Sequence, residues 1–127
     1  MDKINEKSAG VYLARHYGEI KDEIHRLSVL KNFAGILQAI VNYLKLLLEK
    51  RQLNKLGTRI KTIGPLHKKG NDYLKYIIEN LFVRSFEGIR RRCTAEEWAA
   101  LYKEIPSNLK NIYLQQAKEN TQNKWIV

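Results

Sequence analysis

Two pairs of side chains have a spacing that could serve acid–base or metal chemistry: His16 with Glu19, and Asp22 with His25. A spacing of three residues is that of one half of a di-iron site in a helical bundle. A complete site needs a second such motif on another helix and two further inward carboxylates. Both pairs belong to one predicted helix, so we expect solvated pairs on a helix surface and no bound metal.

Nucleophilic catalysis has little support in the sequence. Cys93 is the single cysteine and follows Arg90–Arg92, whose positive charge can lower a thiol pKa, but no histidine lies near it in sequence. His67 is typical of a helix end, where its interaction with the helix dipole is favourable. No Gly-x-Ser-x-Gly motif, phosphate-binding glycine loop or Cys/His metal spacing is present. We expect a protein that is not an enzyme and has no cofactor.

The positive charge is concentrated in the middle of the chain. The net charge is +10, and residues 45–92 contain thirteen basic but only four acidic side chains. Such a region attracts acidic protein surfaces, nucleic acid or anionic lipid. Nine side chains of this region form the predicted partner-binding surface: Arg51, Lys55, Arg59, Lys68, Lys69, Tyr73, Tyr76, Arg84 and Arg91.

Several interpretations of this charge remain open. Tyrosines among cations are typical of surfaces on which nucleic-acid bases stack, but no helix-turn-helix, zinc-finger or RNA-recognition signature is present. The stretch Lys68–Asn71 could hold an anion at a helix start, although an ordinary capped turn explains the same residues. A solvated surface is a further interpretation, because Glu87 can pair with Arg90 and Arg91. We expect an acidic protein partner, with nucleic-acid binding as the alternative.

The helix predicted over Phe33–Leu48 is the central element of the fold. We expect the other helices, which carry the candidate functional residues, to pack around it. Its apolar residues recur at three- and four-residue spacing and cover most of its circumference, which is typical of a helix buried in a bundle. They are Phe33, Ile36, Leu37, Ile40, Val41, Leu44, Leu47 and Leu48. A membrane span needs about 20 apolar residues. This run is shorter and contains Lys45, so we expect no span.

Similar periodicity predicts helices on both sides of this central one. A first helix over residues 11–27 ends in a break at 28–32, where Ser28 or Asn32 caps the next helix. A third helix over residues 53–63 is followed by a kink or restart at Gly64–Pro65. Gly70 is predicted as a left-handed C-cap, with a fourth helix starting at Asn71 or Asp72 and running to about Arg91. Thr94–Glu97 is a capping box that opens a fifth helix, and Ser107 caps a sixth.

The predicted fold is therefore all-α, a compact antiparallel bundle of five or six helices in a single domain over residues 1–127. We expect residues 1–10 and 118–127 to be frayed tails, and whether Trp125–Val127 docks on the bundle is open. The first eight residues lack the apolar core of a signal peptide. Together with the single cysteine, this favours a reducing, cytoplasmic location.

Some stretches resemble a known family. Gly70–Tyr73 and Ile78–Phe86 resemble the best-marked segment of an uncharacterised family of small helical bacterial proteins. Ile105–Gln116 has the Pro-x-x-Leu-x-x-x-Tyr pattern of that family, and Phe33–Lys45 lies where the family has a similar helix. The likeness spans about residues 20–117 and implies an all-helical domain of unknown function, without catalytic residues. An interaction or regulatory role, including an immunity-type role against a toxin, fits this size and class by analogy.

Overall fold

A computed structural model describes residues 3–124, with side chains described for residues 3–120. Within this range the chain is almost entirely helical, and its only extended pairing is one isolated bridge between Ile4 and Gly70. The all-α fold class is confirmed. The helices are α1 Glu6–His16, α2 Lys21–Val29, α3 Phe33–Glu49, α4 Leu53–Lys61, α5 Ile63–Lys69, α6 Asp72–Ile77, α7 Phe86–Arg91, α8 Ala95–Glu104 and α9 Ser107–Lys124.

The central helix α3 has the predicted bounds to within one residue. Asn32 is its N-cap, and the side-chain oxygen of Asn32 accepts a hydrogen bond from the backbone N–H of Gly35 at 2.9 Å. All eight residues of its predicted apolar stripe are buried. Leu46, on the same helix but outside this stripe, is 43% exposed.

The first predicted helix is wrong, because two helices occupy its place. α1 ends at His16, a 3-10 turn covers Gly18–Ile20, and α2 then begins at Lys21. Tyr17 between them is fully buried, and its hydroxyl donates to the carbonyl of Arg59 on α4 at 2.7 Å. Tyr17 itself leaves helical geometry, with φ −123° and ψ 56°, and its bond to Arg59 joins this break to α4.

The expectation that residues 1–10 are frayed is wrong for residues 4–10. The N–H of Ile4 donates to the carbonyl of Lys69, and the carbonyl of Ile4 accepts from the N–H of Asn71, both at 2.9 Å. Asn5 caps α1, which buries Ala9. At the other end α9 continues to Lys124, so residues 118–124 are helical rather than frayed. The question about residues 125–127 lies outside the described residues.

The third predicted helix corresponds to α4, and the restart predicted at Gly64–Pro65 occurs slightly earlier, at Thr62. α4 ends at Lys61 and α5 begins at Ile63, which places Pro65 in the first turn of α5, where proline is tolerated. Gly70 is not a left-handed C-cap, because its backbone is extended with φ −72° and ψ 157°. Its lack of a side chain serves close packing instead: a Cβ at Gly70 would lie 2.7 Å from the carbonyl oxygen of Leu66.

The fourth predicted helix is a continuous helical segment of changing pitch, which we call the fourth segment. It consists of α6, a π turn at Ile78–Phe82, a 3-10 turn at Val83–Ser85, and α7. Asn71 caps it by accepting from the N–H of Leu74 at 2.9 Å. Downstream, the capping box at Thr94 is confirmed, since the Thr94 and Glu97 side chains bond each other's backbone amides.

Candidate interaction surface

The exposed side of the fourth segment presents five side chains that form what we call the fourth-segment surface: Tyr73, Tyr76, Asn80, Arg84 and Arg91. Tyr73 is 47% and Tyr76 63% exposed, whereas the other five tyrosines of the chain are buried or half-buried. An exposed aromatic ring keeps apolar area in water, which costs free energy unless a partner covers it. Covering these two rings with a partner would therefore be the most favourable contact that this surface can make.

The π turn gives the fourth-segment surface its shape. Asn80 lies in this turn and donates from its side chain to the carbonyl of Tyr76 at 2.9 Å. The carbonyl of the neighbouring Glu79 accepts a hydrogen bond from the Gln116 side chain of α9, also at 2.9 Å. π turns inside helices occur frequently at functional sites. Here the turn joins the fourth segment to α9 through a side chain rather than through apolar packing alone.

A groove of about 400 Å³ runs between the π turn and α9. Its walls are rich in carboxamides, which donate and accept hydrogen bonds at the same time. The lining residues are Glu79, Asn80, Arg84, Asn111, Ile112, Gln115, Gln116 and Glu119. Leu114, on the same helix as five of these residues, is 53% exposed. The groove therefore offers both donors and acceptors of hydrogen bonds to a ligand or partner.

His67 fixes the acidic wall of this groove. Its Nε2 lies 2.8 Å from Oε2 of Glu79, and the Asn108 side-chain nitrogen lies 3.3 Å from its Nδ1. The Asn108 nitrogen also donates to the carbonyl of Gly64 at 2.9 Å. An amide N–H facing Nδ1 requires that nitrogen to accept, so Nε2 carries the proton and donates to Glu79. His67 lies in the last turn of α5, as predicted, and it also connects α5 to the fourth segment and to α9.

The predicted cations of α4 are engaged within the molecule. Lys55 and Arg59 both contact Oε1 of Glu19 at 2.9 Å, and the hydroxyl of Tyr43 donates to the same oxygen at 2.6 Å. The hydrogen bond from Tyr43, followed by the one from Lys55, lowers the pKa of Glu19 far below its ordinary value. Arg51, just before α4, lies 3.5 Å from Glu97 of α8. These three cations therefore have acidic partners already.

The turn at Lys68–Asn71 is a capped turn. The N–H of Asn71 donates to Ile4 and that of Gly70 to His67, so these backbone amides are occupied. The side chains of Lys68 and Lys69 point to solvent at the end of α5, next to the start of the fourth segment. Neither forms an ion pair within residues 3–120, and the same holds for Arg84 and Arg91.

The nine predicted residues are thus divided into two sets. Lys68, Lys69, Tyr73, Tyr76, Arg84 and Arg91 lie at α5 and along the fourth segment, on its solvent side. Arg51, Lys55 and Arg59 contact acids of the 3-10 turn at residues 18–20 and of α8. Within residues 3–120 the cations of the first set form no ion pair, whereas those of the second set contact acidic side chains.

A model of one protein family matches residues 11–120 of the chain, and its description is a domain of unknown function, DUF7674. The chain belongs to this family. No curated protein matches it, and no solved structure matches it. The resemblance to an uncharacterised all-helical family is therefore confirmed, and membership in DUF7674 brings no ligand or reaction with it.

The structure also places the other groups of this DUF7674 domain that the sequence offers for catalysis or metal binding. Burial, and then the nearby Glu97, raises the pKa of the half-buried Cys93 thiol, which opposes formation of the reactive thiolate. The His16 ring lies against Tyr12, with centroids 4.4 Å apart and the ring planes tilted by 49°, and His16 forms no ion pair with Glu19 within residues 3–120. Within residues 3–124 there is no cluster of three metal-ligating side chains, and no helix there is long and apolar enough to cross a membrane.

Sequence reasoning missed the roles of Glu19 and Glu79 in the DUF7674 fold. Their pattern predicts solvated helix surfaces, yet each joins elements that are far apart in sequence: Glu19 meets Tyr43 and α4, and Glu79 meets His67. The only local signal is that each carboxylate lies beside, rather than opposite, an apolar stripe. That signal does not identify a partner.

Proposed function

We propose that this domain is a non-enzymatic interaction module that binds an acidic protein partner through the fourth-segment surface, with Lys68 and Lys69 at its edge. The observation that carries the proposal is the exposure of Tyr73 and Tyr76 among cations that have no ion-pair partner in the described residues. Tyrosine and arginine are enriched at protein interfaces and at their binding hot spots.

The unpaired charges support an acidic partner. Because the net charge is +10, cations must outnumber the acids available to neutralise them within the chain. Arg84 and Arg91 lie on the same segment as the tyrosines, and complementary charge around an aromatic centre speeds association and excludes wrong partners. The carboxamides of the groove could bond the backbone of a partner segment, since each offers both a donor and an acceptor.

The division of the predicted cations favours a protein over a nucleic acid. A nucleic-acid surface gains most of its affinity from many lysine and arginine contacts to phosphates. Three of the predicted cations are occupied by Glu19 and Glu97, and the groove beside Arg84 contains Glu79 and Glu119. The carboxylates of Glu19 and Glu97 therefore neutralise part of the positive charge, and the groove part of the surface is itself acidic. The proposal includes a cytoplasmic location, which the single cysteine supports.

The experiment is site-specific photo-crosslinking in the native cell. We place p-benzoylphenylalanine at position 76 and, as a control, at exposed position 25 on α2, and identify crosslinked proteins by mass spectrometry. We expect an acidic protein that crosslinks from position 76 but not from position 25. The purified partner should then bind the wild-type domain and lose affinity for the Arg84→Glu variant, whose circular dichroism and melting temperature should remain unchanged because Arg84 has no described ion pair.

The nucleic-acid alternative is tested with the same proteins. Fluorescence anisotropy with short single-stranded RNA and duplex DNA is measured between about 50 and 200 mM salt, where phosphate contacts predict a steep linear fall of log affinity with log salt. We expect no binding that survives the upper end of this range. Tight, salt-graded binding that depends on Tyr76 would replace the proposed protein partner with a nucleic acid.

A further inference from the structure

A second concave site lies on a different part of the molecule, where the C-terminal half of α3 meets the end of α7. It has a volume of about 650 Å³, which falls within the range of small-molecule pockets. The lining residues are Asn42, Lys45, Leu46, Leu48, Glu49, Arg51 and Arg92. Three of these residues are cationic and one is acidic, so the pocket carries net positive charge.

Two of the cations converge on one point above α7. A Cβ built on Gly88 would lie 3.3 Å from Nη1 of Arg92 and 3.9 Å from Nζ of Lys45. The side-chain nitrogens of both cations therefore lie within 4 Å of the same position beside Gly88. Lys45 forms no ion pair or hydrogen bond within the described residues, and Arg92 donates only to the carbonyl of Gly88, at 2.8 Å.

The third cation is held in place by backbone geometry. Arg51 has a left-handed φ of 56°, and one of its guanidinium nitrogens donates to the carbonyl of Leu48 at 2.9 Å. Its contact with Glu97 is longer, at 3.5 Å. Arg51 and Arg92 each use one N–H group on a helix carbonyl, and Nε of Arg51 also faces Glu97. The remaining N–H groups of each guanidinium are free to bind a ligand in addition to these contacts.

Like charges around one concavity repel one another, and this cost is removed when a multivalent anion binds among them. Arginine forks match phosphate oxygens in geometry, and lysine adds a point charge. The half-exposed Leu46 and the Asn42 amide leave room and contacts for more than a single phosphate.

We propose that this pocket binds a small molecule that carries a polyphosphate chain, with Lys45, Arg51 and Arg92 as its phosphate-binding residues. One monovalent anion would neutralise less of the charge in a pocket with three cations, which favours a di- or triphosphate. The site shares no residue with the fourth-segment surface, so evidence for or against polyphosphate binding does not depend on the proposed function.

The test is isothermal titration calorimetry with inorganic tripolyphosphate and with magnesium-free ATP, against sodium chloride at matched ionic strength. We expect both polyphosphates to bind the wild-type domain and to raise its melting temperature by mass action. Lys45→Gln and Arg92→Gln should each weaken this binding by about tenfold or more, since each removes charge-assisted hydrogen bonds. The control Lys21→Gln, with the same charge change on α2, should bind as the wild type does.

A second readout separates binding from folding. Without ligand, Lys45→Gln should melt at the wild-type temperature or above it, because it removes a repelling charge that has no described partner. The proposal is overturned if polyphosphate produces no more heat or stabilisation than sodium chloride. It is equally overturned if Lys45→Gln and Arg92→Gln, folded by circular dichroism, bind polyphosphate as tightly as Lys21→Gln does.

Discussion

The hydroxyl of Tyr43 lies 2.6 Å from Oε1 of Glu19, although the two residues are 24 positions apart in sequence. The same oxygen also forms ion pairs with Lys55 and Arg59, so one carboxylate joins the 3-10 turn at residues 18–20, α3 and α4. The contact explains why two cations that the sequence assigns to a partner are retained within the molecule. It also makes Glu19 the residue through which the stability of this end of the bundle can be tested.

Replacement of Tyr43 by phenylalanine should lower the free energy of unfolding by about 1–2 kcal/mol. A hydrogen bond to a charged group contributes about 1.5–3 kcal/mol, and the partial exposure of Glu19 reduces this. The measurement is urea unfolding followed by circular dichroism. Tyr76→Phe is the matched control: its hydroxyl has no hydrogen bond in the described part of the chain, so its loss should leave the unfolding free energy unchanged. Equal effects of the two substitutions would contradict the assigned role of Tyr43.

The pH dependence of stability should carry the signature of Glu19. Its hydrogen bonds, first from Tyr43 and then from Lys55, lower its pKa in the folded state below the unfolded value of 4.5. A carboxylate of depressed pKa contributes stability that is fully present above the unfolded pKa and is lost as the pH falls toward the folded pKa. The unfolding free energy should therefore decrease as the pH is lowered below about 4.5.

Glu19→Gln should make this decrease shallower, because the titrating group is removed. Glu23→Gln is the control: Glu23 is exposed and has only a 3.9 Å contact to Arg26. Unfolding is measured at several pH values for the three proteins. A slope for Glu19→Gln that equals the wild-type slope in this acidic range would show that Glu19 does not carry the linkage.

Local sequence patterns were sufficient wherever the cause of a structure is local. Asn32, Asn71 and Thr94 cap the helices that follow them, because the bond from each side chain spans three residues. The apolar stripe of α3 is buried as its period predicts. These features depend only on the spacing of residues along one helix, and this spacing can be read from the sequence.

Features with distant causes were not predictable in the same way. The break after His16 lies at Tyr17, whose hydroxyl bonds to Arg59, 42 positions away. The position of His67 follows from Glu79 and Asn108, which belong to other helical elements. Periodicity marked the fourth segment as helical but contained no signal for its π turn, since the pitch changes without a loss of the apolar stripe. The sequence therefore predicted together only those candidate residues that lie on one helical segment, where spacing alone determines that they share a face.

Gly70→Ala should destabilise the fold even though the φ of Gly70 is ordinary for any residue. The added Cβ would lie 2.7 Å from the carbonyl oxygen of Leu66, a backbone atom that cannot move aside easily. Overpacking of this kind costs about 1–3 kcal/mol. Gly18→Ala is the matched control, because its added methyl group would meet no packed neighbour within 4 Å and its φ is not left-handed. Thermal unfolding of both variants checks the difference; a loss for Gly18→Ala as large as that for Gly70→Ala would count against close packing as the cause.

Lys31→Gly should stabilise the domain by several tenths of a kcal/mol, up to about 1 kcal/mol. Lys31 follows α2 with a left-handed φ of 56°, in a C-terminal motif in which the N–H of Asn32 donates to the carbonyl of Leu27. Left-handed backbone costs a residue with a side chain about 1–2 kcal/mol, and the greater freedom of glycine in the unfolded chain offsets part of the gain. Lys31→Ala keeps the Cβ and should give no such gain.

Arg51 occupies the equivalent position after α3, with the same φ of 56°. Arg51→Gly should gain less than Lys31→Gly, because it also loses the bond to Leu48 and the contact with Glu97. The difference between the two gains, measured by urea unfolding, estimates what the Arg51 side chain contributes to the fold. A gain at Arg51 equal to that at Lys31 would mean that the Arg51 guanidinium contributes no stability to the fold.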